Sequence, residues 1–133
     1  LREIESKING NVVYCTNLEW KEAMLQLKAS NVLIVPSRIE SIPQVIKEAF
    51  FLNVPVVATK VGGIPELIEH EKNGLLVDPN DPNQLLNSVN ELLENKDKAA
   101  CIAQAGYDFV VKNLTWEVLL PKYVKFYEDL LNS

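Results

Sequence analysis

Short apolar runs alternate along the chain with longer stretches in which apolar residues recur every three or four positions. Residues 11–15, Asn-Val-Val-Tyr-Cys, read as a strand. Residues 18–29 follow as a helix with Trp20, Ala23, Met24 and Leu27 on one face. Residues 31–35 form a run dominated by aliphatic residues that Pro36 stops, the pattern of a strand buried on both faces. A helix over 41–52, a strand over 54–58, a short helix over 65–71 and a strand over 74–77 come next. Asp81 as N-cap and Pro82 at the first helical position open a helix through residue 95, with Leu85, Leu86, Val89, Leu92 and Leu93 as its apolar stripe. Helices over 98–112 and 115–131 close the chain, the second capped by Thr115. Its Trp116, Tyr123, Phe126 and Tyr127 read as core packing first and as an interdomain contact second. Strands that alternate with helices imply a parallel sheet, so the predicted fold is one α/β domain over residues 1–133, Rossmann-like, with C-terminal helices.

Ligands of such sheets bind beyond the carboxyl ends of the strands. Residues 16–19, 36–41 and 59–63 are the loops expected on that edge. The middle one holds the candidate chemistry. Ser41 and Gln44 have capping-box spacing, which predicts a helix starting at Ser41. Glu40 then sits just outside the N-terminus and Glu48 about two turns inside, roughly 10 Å further along the axis. Gln44, Val45, Phe51 and Leu52 surround Glu48 at helical spacing, so its carboxylate needs a hydrogen-bonding partner or a ligand. The N–H groups of the helix start lie between the two carboxylates and suit an anion. A carboxylate, an anion site and a second carboxylate in line match a nucleotide diphosphate sugar, because carboxylates accept strong hydrogen bonds from vicinal hydroxyls. The plain alternative is a loop Glu40 favoured by the helix dipole and a surface Glu48 paired with a lysine. Spacing alone does not separate the two.

Composition narrows the choice of partner. The 133 residues are 47% hydrophobic and 23% charged, an ordinary globular balance, with a net charge of -5. No cluster of Lys and Arg exists to neutralise phosphates, which argues against nucleic acid and against an acidic membrane surface. No apolar run reaches the roughly 18 residues of a membrane span. Cys15 and Cys101, far apart in apolar segments, read as buried thiols in a reducing compartment, which points to the cytoplasm. His70, among Glu69, Glu71 and Lys72, reads as a solvated surface histidine. Gly62-Gly63 reads as a turn shaping the wall of the cleft, and Arg38 and Lys60 stand where they would assist a phosphate. The chain opens on Leu1, and residues 1–8 look like the end of a helix, which points to a piece of a longer protein.

Glu40-x7-Glu48, preceded by Pro36-Ser37 and followed by Ala49, resembles the E-x7-E signature of retaining glycosyltransferases of family 4, which have the GT-B fold. The resemblance continues without gaps through Val54-Pro-Val-Val-Ala-Thr59, Gly62-Gly-Ile-Pro-Glu66, Asn73-Gly-Leu-Leu-Val-Asp-Pro79 and Asp81-Pro-Asn-Gln-Leu85. It implies the C-terminal, donor-binding half of a hexosyltransferase that moves a hexose from a UDP- or GDP-sugar to a hydroxyl acceptor in glycan biosynthesis, with no metal. On that resemblance Glu40 is the catalytic residue, and Ser41, Ile42 and Gln44 hold the donor sugar and phosphate. Glu48 holds the ribose, and the backbone at Asn17 and Leu18 meets the base.

Three departures qualify it. Ser41-Ile42-Pro43 stands where the family often has Gly-Phe-Gly. Asn53 replaces a glycine before Val54-Pro55, at a helix end where Asn tolerates a left-handed backbone. Nothing before Asn11 resembles the family's Gly-Arg and Lys-Gly diphosphate clamp, and the N-terminal acceptor domain has no counterpart, so this chain by itself is expected to be inactive. The sheet of the resembled fold runs 3-2-1-4-5-6. A chain starting near its third strand leaves one sheet face to be covered by the C-terminal helices or by a partner, which predicts a homo-oligomer or a larger protein. The full enzyme is expected in the cytoplasm, either free or peripheral at the inner membrane face. A non-catalytic nucleotide- or protein-binding α/β module remains the alternative, as does an epimerase on the same fold. Cys15-Thr16-Asn17 offers no acidic residue for a flavodoxin-like signalling site.

Overall fold

Three of the apolar runs become strands in a computed structural model that describes residues 12–132. In chain order the elements are α1 (Trp20–Ala29), β1 (Leu33–Val35), α2 (Gln44–Phe51), β2 (Val56–Thr59), α3 (Ile64–Leu67), β3 (Leu75–Val77), α4 (Pro82–Glu94), α5 (Lys96–Asn113) and α6 (Trp116–Leu131). The sheet is parallel, in the order β1-β2-β3. The expected α/β fold with C-terminal helices is therefore present.

Strand alternation builds two cores from one sheet. Val56 and Ala58 of β2 face a cluster that takes Ile46, Ala49 and Phe50 from α2, Ile64 and Leu67 from α3, Leu27 from α1 and Val110 from α5. Val57 faces the opposite way, into a cluster with Leu75, Val77, Leu92 of α4 and Ile102 of α5. The C-terminal helices thus cover the second sheet face. That cover stops short of β1. Ile34, paired with Val57, is 42% exposed, so β1 is open on one face instead of buried on both. 

Several local expectations are corrected. Residues 12–15 form no strand, and Asn11 lies outside the described residues. Among the described residues no strand offers them a ladder, and Val13 is 79% exposed. Cys15 and Cys101 are both exposed thiols: Cys101 points outward from α5 while Ile102 and Ala103 point in. The aromatic residues Trp116, Tyr123, Phe126 and Tyr127 are not core, because α6 buries none of its residues. Thr115 is the N-cap residue of α6, but its side chain caps no backbone N–H. Its hydroxyl instead reaches Glu117, whose own backbone N–H, first, and the Thr115 side chain, second, hold that carboxyl below the usual glutamate range. The Asp81 cap does form, its Oδ1 accepting from the Gln84 N–H at 2.9 Å. Asn53 adopts the left-handed backbone expected of it, with φ 60. No helix among the described residues is long and apolar enough to cross a membrane.

The α2–α5 contact seats the site helix. Gly106 lies against Phe50, whose ring is fully buried, and a Cβ at Gly106 would stand 2.6 Å from Phe50 Cδ1. Gly106→Val is expected to lower stability by about 1–3 kcal/mol in urea unfolding through overpacking. Gly106→Ala should lose less, since helix propensity returns about 1 kcal/mol. A Gly106→Val protein as stable as wild type would show that α5 does not press on Phe50.

Lys98 at the start of α5 donates to Glu91 at 2.6 Å and to Glu71 at 3.3 Å, tying α4 and the turn before β3 together. The Glu91 hydrogen bond chiefly, then that of Glu71, raises its pKa. A raised lysine stabilises fully below its ordinary value and loses that contribution as pH climbs through the raised one. The stability gap between wild type and Lys98→Met should therefore narrow at strongly alkaline pH, read by thermal unfolding across a pH series. A gap independent of pH would remove the ion pairs as its cause.

Candidate functional site

The loop 36–43 after β1 and the loop 60–63 after β2 meet at the carboxyl edge of the sheet. Gly62 makes the meeting possible. Its φ is +53, and a Cβ there would lie 1.7 Å from the Glu40 carbonyl oxygen. Gly63 donates its N–H to the Ser41 carbonyl at 2.7 Å, and Ile42 packs on it so closely that a Gly63 Cβ would stand 2.6 Å from Ile42 Cγ1. From the other side, the Thr59 hydroxyl donates to the Ser37 carbonyl at 2.6 Å. The Gly-Gly turn is thus the wall that holds Glu40, Ser41 and Ile42 in place.

The capping box does not form. Pro43 is the N-cap of α2, with φ -70 and ψ 125, because the residue before a proline is pushed out of the helical region and the helix starts after it. Glu48 consequently lies about one turn inside α2, not two. Among the described residues no side chain caps α2, so its first N–H groups find no side-chain acceptor there. The Ser41 N–H is taken by Glu40 Oε1 at 3.0 Å, a contact that folds the Glu40 carboxylate back over its own loop.

Both carboxylates are half-buried. Glu48 has the partner its apolar surroundings require: Trp20 Nε1 donates to its Oε1 at 3.3 Å. Trp20 opens α1, and sequence reasoning placed it on that helix's apolar face; it is instead 69% exposed. The signal available was the indole N–H, a donor on an otherwise apolar face. Asn17, with φ 56, and Leu18 lie exposed in the loop leading into α1, two or three residues before Trp20. Ser41, Ile42 and Gln44 are exposed around the start of α2. The structure brings Glu40, Ser41, Ile42 and the glycines into one wall, with Glu48 and Trp20 on the α1–α2 side.

Arg38 and Lys60 are exposed on the same edge. Arg38 lines a cavity of about 400 Å³ with Ser37, Thr59, Asp78 and Asp81. Neither Glu40 nor Glu48 lines that cavity, and Asp78 and Asp81 in its wall add negative charge that disfavours a phosphate there. His70 is exposed as expected, but it is not idle: its Nδ1 accepts the Leu76 N–H at 3.0 Å and so terminates the outer edge of β3. Among the described residues no group of His, Cys, Asp and Glu is arranged to hold a metal ion.

The family model described as "Glycosyl transferases group 1" matches residues 3–109. The GDP-mannose-dependent alpha-(1-6)-phosphatidylinositol monomannoside mannosyltransferase of Mycobacterium tuberculosis is 35% identical over 88 residues, 66% of this chain and 23% of that protein. Sucrose-phosphate synthase from Thermosynechococcus elongatus superposes with a TM-score of 0.87 at 28% identity, over 98% of this chain and 34% of that one. Anabaena HepE in complex with UDP superposes with a TM-score of 0.75 at 28% identity, over 78% of this chain and 29% of that one. The chain thus spans between 23% and 34% of the length of these three proteins.

The Gly62–Glu40 approach is open to a direct test. Gly62→Ala is expected to cost about 1–3 kcal/mol from left-handed strain, and more from overlap with a carbonyl that cannot rotate away. Urea unfolding measures it, and an unchanged midpoint would show that the two loops do not touch.

Proposed function

This chain belongs to the group 1 glycosyltransferases, and from that premise we propose that it is the donor-binding half of a retaining hexosyltransferase. The donor is a UDP- or GDP-hexose and the acceptor a hydroxyl. One observation carries the reading: α2 begins without a side-chain cap, between Glu40 before it and Glu48 inside it. HepE, which superposes on this chain, has been captured with UDP and with UDP-glucose, and the mannosyltransferase relative is named for GDP-mannose. Both bases therefore remain candidates here.

In this reading each residue has a defined task. The free N–H groups at the start of α2 and the positive end of its dipole face the diphosphate, the group that gains charge as the anomeric carbon–oxygen bond breaks. Ser41, Ile42 and Gln44 border the sugar and phosphates. Pro43 donates nothing and serves as the helix start. Glu40 lies beside the sugar and steadies positive charge at the anomeric carbon. Glu48 accepts from the ribose hydroxyls, and the backbone at Asn17 and Leu18 meets the base. The acceptor oxygen bonds to the anomeric carbon on the face the diphosphate leaves, and its proton departs with the diphosphate. The helix dipole and exposed cations such as Lys60 supply the positive charge, so no metal is required. An acceptor-binding half completes the enzyme, in line with the length of the relatives, and a nucleotide-sugar donor suits the cytoplasm.

Calorimetric titration with UDP, UDP-glucose, GDP and GDP-mannose tests this. Binding of one base series is expected, and Glu48→Ala should weaken it about ten- to hundred-fold, the loss of a charge-assisted hydrogen bond worth about 1.5–3 kcal/mol. Undiminished binding by Glu48→Ala would sink the ribose role. Silence toward all four would favour a non-catalytic module.

A further inference from the structure

We infer that Trp20 is the stacking platform for the donor's nucleobase and, through its N–H, the positioning residue for Glu48. The inference rests on the donor-site reading above and adds to it a residue with two jobs. The first observation is the hydrogen bond from Trp20 Nε1 to Glu48 Oε1, at 3.3 Å, between residues 28 apart in sequence. An indole N–H only donates, so the carboxylate is held through one oxygen while Oε2 stays available to a diol.

The second observation is exposure. Trp20 is 69% exposed, whereas Leu27 on the same helix is buried in the core that joins α1 to α2. The ring pairs among the described residues are Phe50–Phe109, Phe51–Tyr107 and Phe126–Tyr127, so no ring stacks on the Trp20 face. Indole is the largest aromatic surface a protein has, and leaving it uncovered forfeits burial that a planar ligand would restore. 

Connectivity within the ligand joins the two. In any nucleoside the base is attached to the same five-membered ring that carries the hydroxyls. A carboxylate that holds those hydroxyls therefore has the base beside it, and the side chain touching that carboxylate is Trp20. The loop residues Asn17 and Leu18, which open onto the same helix start, border the position from the chain side. Stacking is tolerant of base identity, because each base has a π face. Trp20 thus supplies affinity for a nucleoside diphosphate, and selection between uracil and guanine falls to the surrounding loop.

The sequence holds two tryptophans, Trp20 and Trp116. Trp116 is 73% exposed on α6, so a Trp116→Phe protein keeps the fold and reports on Trp20 alone. In that background UDP or GDP is expected to quench the emission saturably, and inorganic pyrophosphate, which has no base, to leave it unchanged. Trp20→Ala should weaken nucleotide binding by calorimetry about tenfold or more, and Trp20→Phe, which keeps a ring but lacks the N–H, should recover only the stacking part. Recovery to wild-type affinity by Trp20→Phe overturns the positioning of Glu48. Nucleotide binding by calorimetry with unchanged emission, or with Trp20→Ala as tight as wild type, overturns the inference and leaves the donor site standing. Trp20→Phe as weak as Trp20→Ala overturns the stacking role. Absence of nucleotide binding in the parent protein overturns both readings together.

Discussion

The close approach of the Gly62 backbone to the Glu40 carbonyl is the constraint on which the rest of the site depends. A methyl group at Gly62 would sit 1.7 Å from that oxygen, so at Gly62 the two loops meet backbone to backbone. Backbone contact of this kind has little freedom to relax, unlike the far end of a flexible side chain. It fixes the loop 36–43 against β2, and the Gly63 N–H bond to Ser41 fixes its direction. The loop then delivers Pro43 to the start of α2, and α2 is seated from behind by Gly106 and Phe50. The position of Glu48 relative to Glu40 follows from these two glycine contacts, one in front of the helix and one behind it.

The sheet that carries this edge is short for its task. Three strands of three or four residues have two faces to cover, and the chain covers them unequally. The face toward α2 and α3 is closed. The face toward α4 is closed over β2 and β3 but leaves Ile34 of β1 half open. His70 terminates the opposite edge by accepting the Leu76 N–H, which removes one free donor from β3. The exposed apolar residues of α6 and of residues 12–14 sit outside both cores. Neither core therefore depends on them.

Periodicity made the larger elements legible. The middle strands and the helices from Asp81 onward lie where alternation and the 3.6-residue period place them, and the Asp81 cap forms as its chemistry requires. What was not legible depended on partners distant in sequence. The run at residues 12–15 is apolar enough for a strand, but a strand exists only beside another. Trp116, Tyr123, Phe126 and Tyr127 have helical spacing, which places them on a helix and says nothing about what faces that helix. The capping box at Ser41 and Gln44 failed for a local reason that was visible: Pro43 lies inside it, and a proline restricts the residue before it. Gly62-Gly63 was recognised as a wall of the cleft, whereas the left-handed backbone that makes it one belongs to the contact with Glu40.

Glu48 shows how a local requirement turns into a site. A carboxylate on an apolar helix face demands a donor, and that demand is readable from the sequence alone. A lysine would have answered it with a full ion pair and neutralised the carboxylate. An indole N–H answers it with a single neutral hydrogen bond, which leaves the negative charge and one oxygen in place for a hydroxyl-bearing ligand. In the proposed donor site the same choice sets an aromatic surface beside the ribose. One side chain from α1 thereby satisfies a half-buried charge, preserves its capacity to bind, and presents a face on which a base can stack. A cation in its place would not combine these three properties, because it would neutralise the carboxylate.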